Sequence, residues 1–320
     1  MLNEIRVSVG IFVYNGMPFI KDAIDSILQQ SYKVNEIVIS DNCSTDETYQ
    51  TIIRFRNDFP QYRWLINKNS SNLGFVENAK KVIELITNEF MILLHADDIL
   101  KPDMVEKQLT FFRNHPELVL IGGYDDSIDG DGNLIKQHNS IPDLIFQQGN
   151  VNEFIRVTNS YIPFSTVMHR TEILRKIELN FDSLIADEIY WPKVLQYHPI
   201  AVLGTALTSR RYHSRNTTHT YNLDYDRNII EINRHLEIAE YEPGRRKEIR
   251  SFLTYKYANN SLSNFLNLLF RFKVFEACRF LALAARLHPS IFFKTNFLYQ
   301  YLSRIPIKIY KVLFCRKKRS

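Results

Sequence analysis

The sequence predicts an α/β protein, a mostly parallel central sheet flanked by helices, followed by a C-terminal helical region. Three features carry that expectation. Between Arg6 and Gly122, short β-branched and apolar runs alternate with segments of helical spacing. The run Phe90 to Leu94 leads through His95 and Ala96 into the adjacent carboxylates Asp97 and Asp98, as a strand buried on both faces and ending in acid would do. Beyond Asn222 the alternation stops, and helical patterns follow without intervening strands.

Taken in order, Arg6 to Tyr14 (RVSVGIFVY) and Glu36 to Ser40 (EIVIS) read as strands. Between them Ile20, Ala23, Ile24, Ile27 and Leu28 recur at helical spacing, which makes a βαβ unit. Thr45 to Asn57 reads as a helix, Tyr62 to Asn67 as a strand, Phe75 to Thr87 as a helix, and Phe90 to Leu94 as the next strand. Helices of this length between strands imply right-handed parallel crossovers. Leu118 to Gly122 is a further strand, and Asp125 to Asn133 (DDSIDGDGN) a turn-rich hairpin link. Its aspartates do not make a calcium loop, because no Glu stands at the closing position.

Hydrophobic residues at 45% and charged residues at 23% describe an ordinary globular chain and exclude disorder. Cys43, Cys278 and Cys315 are too few and too scattered for a disulfide framework or a zinc site, so a reducing cytoplasm is expected. The start, with Asn3, Glu4 and Arg6, does not read as a signal peptide.

Charge divides the chain. Residues 243–320 carry 17 Lys plus Arg against Glu248 and Glu276, whereas the first 242 residues hold 23 basic and 33 acidic side chains. Phe252 to Leu287 is rich in Leu, Phe and Ala, but charged residues interrupt it before it reaches the roughly 20 apolar residues of a membrane span. From Phe292 to Phe314 aromatic and aliphatic residues alternate with Lys and Arg and end in the cluster Arg316 to Arg319. That composition suits a helix in the headgroup plane of an anionic membrane surface, or else a helix packed on the body with a solvated basic end. No nucleic-acid-binding motif accompanies the basic residues, so no nucleic-acid partner is expected.

Open α/β sheets bind ligands beyond the carboxyl ends of their strands. Carboxylates there suit Mg²⁺ or Mn²⁺, which commonly share their oxygen ligands with substrate phosphates. A nucleotide-handling site follows; the plainer alternative is a solvated turn and N-cap ahead of Pro102. Polar loops form an ordered series: Val13-Tyr14-Asn15-Gly16, Ser40-Asp41-Asn42-Cys43-Ser44-Thr45-Asp46, Asn72-Leu73-Gly74, and His95-Ala96-Asp97-Asp98 onward to Asp103. The series continues through Ser165 to Arg170, Asp187-Glu188-Ile189-Tyr190-Trp191, and Arg211-Tyr212-His213 with Asn216.

Over residues 5 to about 219 this series resembles the inverting family 2 glycosyltransferases of the GT-A fold. The resemblance implies a GT-A domain over residues 1–222 and a helical, basic, membrane-associating region over 223–320. It implies a sugar moved from a nucleotide diphosphate sugar, most simply a UDP-sugar, to a hydroxyl of a glycan or lipid-linked glycan in polysaccharide assembly. It also implies an Mn²⁺ or Mg²⁺ cofactor and a cytoplasmic enzyme, peripheral on the inner face of the membrane. Asp97 matches the metal ligand and Asp187 the catalytic base, with Glu188 its neighbouring competitor. Asp41 matches the residue that accepts a hydrogen bond from the pyrimidine ring. Val13, Tyr14, Asn15, Asn72, Gly74, His95, Ala96, Asp98, Arg211 and His213 complete the donor-binding set, the last two lying over the diphosphate. His95 departs from the family, which usually has Asp there. Asp46 reads as a helix cap, and Tyr190 and Trp191 as core or acceptor wall. A rival reading within the same fold neighbourhood, a sugar-phosphate nucleotidyltransferase, needs a Gly-rich, basic N-terminal signature that Gly10 and Gly16 do not supply.

Overall fold

A computed structural model describes residues 5–177, 186–216, 224–270 and 273–293. The chain divides into two compact units, Met1–His219 with Glu237–Arg246, and Thr220–Leu236 with Lys247–Ser320.

In the first unit the strands are β1 (Val7–Val13), β2 (Glu36–Asp41), β3 (Arg63–Lys68), β4 (Phe90–His95), β5 (Ile99–Leu100), β6 (Leu120–Ile128), β7 (Leu134–Lys136), β8 (Leu144–Phe146), β9 (Met168–Arg170) and β10 (Ile200–Arg211). The helices are α1 (Ile20–Leu28), α2 (Thr48–Asp58), α3 (Gly74–Leu85), α4 (Met104–Asn114), α5 (Val151–Thr158), α6 (Thr171–Lys176) and α7 (Ala186–Tyr197). The strands form one sheet in the order β3-β2-β1-β4-β9-β6-β10-β5, with β7 on β6 and β8 on β10. β3, β2, β1 and β4 run parallel, as do β6 and β10; β9 is antiparallel to both β4 and β6.

β1 is buried along its whole length, and β4 as far as Leu94, because helices cover both faces of the sheet. A side chain at Gly10 would place its Cβ 2.3 Å from Val82 of α3, so glycine there sets how closely that helix packs. Register decides where the site lies: Val13 pairs with Asp41, and Phe12 with His95, which brings the ends of three strands to one edge.

Two expectations change. The strand expected over Leu118 to Gly122 runs on to Ile128, and the expected link from Asp125 shrinks to a turn in which Asp129 and Asn133 pair by backbone. Burying acids in a strand is tolerable here because Asp125 pairs with Arg210 and Asp126 with Lys101. The Asp129 carboxylate accepts the backbone N–H groups of Asp131 and Asn133, an Asx turn with no need of calcium. Against the expected Thr45 to Asn57, α2 runs from Thr48 to Asp58, and against Phe75 to Thr87, α3 runs from Gly74 to Leu85.

The second unit contains the helices Tyr225–Leu236, Arg246–Phe270 for all but its first residue, and Val274–Leu287, around a small core of Ala258, Leu262, Ala284 and Ile291. No helix among the described residues is long and apolar enough to cross a membrane. The alternating segment beyond Phe293 and the cluster Arg316 to Arg319 lie outside the described residues.

His169 in β9 gives the fold an acid-sensitive point. It is fully buried, neither ring nitrogen has a hydrogen-bond partner, and burial pushes its pKa down to about 3. Unfolding returns it to an ordinary value near 6.5, so below that pH the unfolded chain binds a proton that the folded chain refuses. Stability is therefore whole above pH 6.5 and falls with acidification towards pH 3, by about 2 kcal/mol at pH 5. Chemical denaturation at pH 7.5 and pH 5 checks this: His169→Leu should lose about 2 kcal/mol less than the parent over that interval. An equal loss in both would remove His169 as the cause.

Candidate active site

The loops at the carboxyl edge are braced by their own polar groups. Asn15 adopts φ 49° and its side-chain oxygen accepts the Thr45 N–H at 2.8 Å. Asp46 accepts the N–H groups of Thr48 and Met17, which confirms its structural task at the start of α2. Asn72 accepts from Asn42 and from the Gly74 N–H, and Gly74 itself sits at φ +84°, where a side chain would be strained. Asn72 and Gly74 thus shape the entry to α3. Val13 is buried and its carbonyl accepts the Asn42 N–H, while the Tyr14 ring is half exposed beside it.

Asp41, at the end of β2, is wholly buried. Its Oδ2 accepts the Ser44 N–H at 3.1 Å; its Oδ1 has no hydrogen-bond partner. A buried carboxylate oxygen left unpaired costs about 1–3 kcal/mol, so it points to a missing donor.

After β4 the chain turns sharply, and the ligand atoms of His95, Asp97 and Asp98 all lie within 4.8 Å of one another. Ala96 forms the turn between them and is half-buried. Asp98 is 4% exposed and accepts from the Ser165 hydroxyl at 2.7 Å and the Arg211 N–H at 3.2 Å. Burial lifts its carboxyl to about 6, against the opposing pull of His95. One imidazole, one half-exposed carboxylate and one buried carboxylate suit a divalent cation of the Mg²⁺ to Mn²⁺ class.

The end of β10 closes over this turn. His213 Nε2 lies 3.0 Å from Asp97 Oδ2, and Asn216 donates to the same oxygen at 3.2 Å. The His213 ring is stacked on Phe19 at 4.5 Å. Arg211, expected over a diphosphate, is engaged within the protein. Its guanidinium is 2% exposed and donates to the carbonyls of Asp97 and Gly130 and to Asp22 Oδ2 at 2.7 Å. It therefore ties α1, the acidic turn and the β6–β7 turn together. Phe19, just before α1, and Asp22, on its exposed side, carry no signal in the sequence for this task.

Asp187 lies in the first turn of α7 and accepts the Glu188 N–H at 2.9 Å. Tyr161 is held well above the usual phenol range by burial, with the carboxylates of Asp125 and Asp187 adding to the effect and Arg210 opposing it. Arg210 contacts the hydroxyls of Tyr161 and Tyr212 and pairs with Asp125 at 3.0 Å. It also feels the charge of Asp98. Tyr190 and Trp191 are core: Trp191 is fully buried, donates to the Ile162 carbonyl and stacks on Phe164 at 6.0 Å.

The family model described as Glycosyl transferase family 2 matches residues 8–177. An uncharacterised glycosyltransferase of Haemophilus influenzae is 25% identical over 234 residues, 71% of this chain and 72% of its own length. The amylovoran biosynthesis glycosyltransferase AmsE of Erwinia amylovora is 22% identical over 70% of this chain and 82% of its own. Among solved structures, Staphylococcus aureus TarS 1-349 in complex with UDP-GlcNAc superposes with a TM-score of 0.60 at 17% identity, over 81% of this chain and 73% of that one. The mannosyltransferase PcManGT of Pyrobaculum calidifontis, in complex with GDP-Man and Mn²⁺, gives 0.58 at 16% identity, over 89% and 76%. These likenesses establish a shared fold.

Proposed function

The chain belongs to glycosyl transferase family 2, and we propose from that premise that it is an inverting transferase passing a sugar from a UDP-sugar to a hydroxyl of a glycan or lipid-linked glycan in polysaccharide assembly. The observation that carries the reading is the turn after β4, where His95, Asp97 and Asp98 bring three ligand atoms within 4.8 Å and His213 adds an imidazole against Asp97. Asp97 would hold a divalent cation, whose charge would offset that of the departing diphosphate, with His213 3.0 Å from its carboxylate. AmsE, named for amylovoran biosynthesis, supports the polysaccharide setting, and the UDP-GlcNAc bound by TarS supports a uridine donor.

The residues divide the work by position. Asp41 Oδ1, buried and without a partner, receives the ring N–H of uracil. Val13 and Tyr14 border that pocket, and Asn15, Asn72 and Gly74 hold its rim in shape. Asp187 takes the proton of the acceptor hydroxyl as that oxygen attacks the anomeric carbon from the face opposite the diphosphate. Arg211 keeps the acidic turn and α1 in register.

A donor screen with Mn²⁺ or Mg²⁺, reading nucleotide diphosphate release with and without a lipid-linked acceptor, tests the reading. UDP release from one UDP-sugar, enhanced by the acceptor, is expected. Asp41→Leu should cut the preference for uridine over other bases by about tenfold to a hundredfold, from about 1–3 kcal/mol of lost discrimination. Pyrophosphate release from a nucleoside triphosphate and a sugar phosphate would instead make it a nucleotidyltransferase.

Residues 223–320 form, on this reading, a helical, basic region that holds the enzyme on the cytoplasmic face of the membrane. The net charge of +15 over residues 243–320 supports it, as does Phe275, 77% exposed at the start of a helix. Deleting residues 290–320 should move the enzyme from membrane to supernatant and weaken its sedimentation with anionic vesicles. Unchanged sedimentation would remove the tail from the attachment.

A further inference from the structure

We propose that His95 is itself a metal ligand, and that its imidazole makes this site prefer transition ions to Mg²⁺. The inference rests on the metal-dependent reading above and goes beyond it to the identity of the ion.

The ring is built into place. His95 lies parallel to Phe164 at 5.6 Å and edge-on to Phe12 at 5.7 Å, so little rotational freedom remains to be lost when it binds. Its Nδ1 lies 3.6 Å from Asp98 Oδ2, and its side chain is 38% exposed. Asp98 is placed differently. It is buried, and both of its oxygens already accept hydrogen bonds, from Ser165 and from the Arg211 N–H.

Asp97 is the more open of the two acids, and His213 Nε2 stands 3.0 Å from it. The donor set facing a cation is then the His95 imidazole and the Asp97 carboxylate, with Asp98 beside them, their ligand atoms within 4.8 Å of one another. Mg²⁺ favours oxygen donors and gives up water reluctantly, whereas imidazole suits transition ions, with affinity rising from Mn²⁺ to Co²⁺. A carboxylate at position 95 would remove that distinction.

Titration of the full chain with MgCl₂ and with CoCl₂, without nucleotide, reads the preference. Co²⁺ is expected to bind about a hundredfold tighter than Mg²⁺, and His95→Asp to cut that ratio at least about tenfold. His95→Asn should weaken Co²⁺ while leaving Mg²⁺ nearly unchanged. Pulsed electron paramagnetic resonance of the Mn²⁺-loaded chain gives a readout independent of affinity. Nitrogen coupling should survive in His213→Asn and vanish once His95→Asn is added. Coupling lost in His213→Asn alone, or a Co²⁺/Mg²⁺ ratio unmoved by His95→Asp, would overturn the assignment of His95. A parent chain that binds neither ion would overturn this assignment together with the metal-dependent reading.

Discussion

Replacing Asp187 by asparagine is expected to lower turnover by about 10²–10⁴-fold, the usual contribution of a positioned proton acceptor. The amide matches the carboxylate in size and can still accept the Glu188 N–H, so α7 should start as before. It cannot take a proton from an acceptor hydroxyl at neutral pH. Donor binding should therefore stay within about twofold, because the substitution leaves the acidic turn itself unaltered. Equilibrium binding of UDP and single-turnover transfer separate the two effects. A matching variant at Glu188, whose carbonyl accepts the Ser160 hydroxyl, should leave most turnover intact. Full activity in Asp187→Asn with loss in Glu188→Gln would move the base one residue along the helix.

Much of this architecture is written in local pattern, and the exceptions have a common cause. β1, β2 and β4 are continuous apolar runs, and α1 repeats its apolar residues at helical spacing, so each is recognisable without its partners. The end of β6 is hidden in the sequence because Asp125 and Asp126 look like turn residues until Arg210 and Lys101, far away in sequence or on another element, appear beside them. The short strands β5, β7, β8 and β9 have two or three residues each and exist only through their neighbours in the sheet. The same division holds at the site. Asp97 and Asp98 announce themselves by following an apolar strand. Arg211 does not reveal that its guanidinium is buried, because the groups that surround it come from α1, the acidic turn and the β6–β7 turn. Phe19 is an ordinary aromatic in the chain and becomes the platform for His213 only after folding.

Asp97→Ala is expected to abolish transfer, by at least about 10³-fold, and to do so through donor and cation binding together. The argument turns on how many groups share one carboxylate. Asp97 Oδ2 meets His213 at 3.0 Å and Asn216 at 3.2 Å, so its removal takes away an anionic ligand and frees both partners. The fold has little reason to fail with it. Asp97 anchors Arg211 through its backbone carbonyl, which alanine keeps, and the side-chain pair with His213 is partly exposed. A melting temperature within a few degrees of the parent is therefore expected alongside the loss of activity. Cation binding measured with and without UDP should fall in both conditions, and excess Mn²⁺ should not rescue turnover, because the affinity of UDP itself depends on a charge held at this position. Rescue by millimolar Mn²⁺ would mean that His95, Asp98 and His213 suffice to hold the ion, and Asp97 would then be an orienting group for His213 rather than the principal anionic ligand.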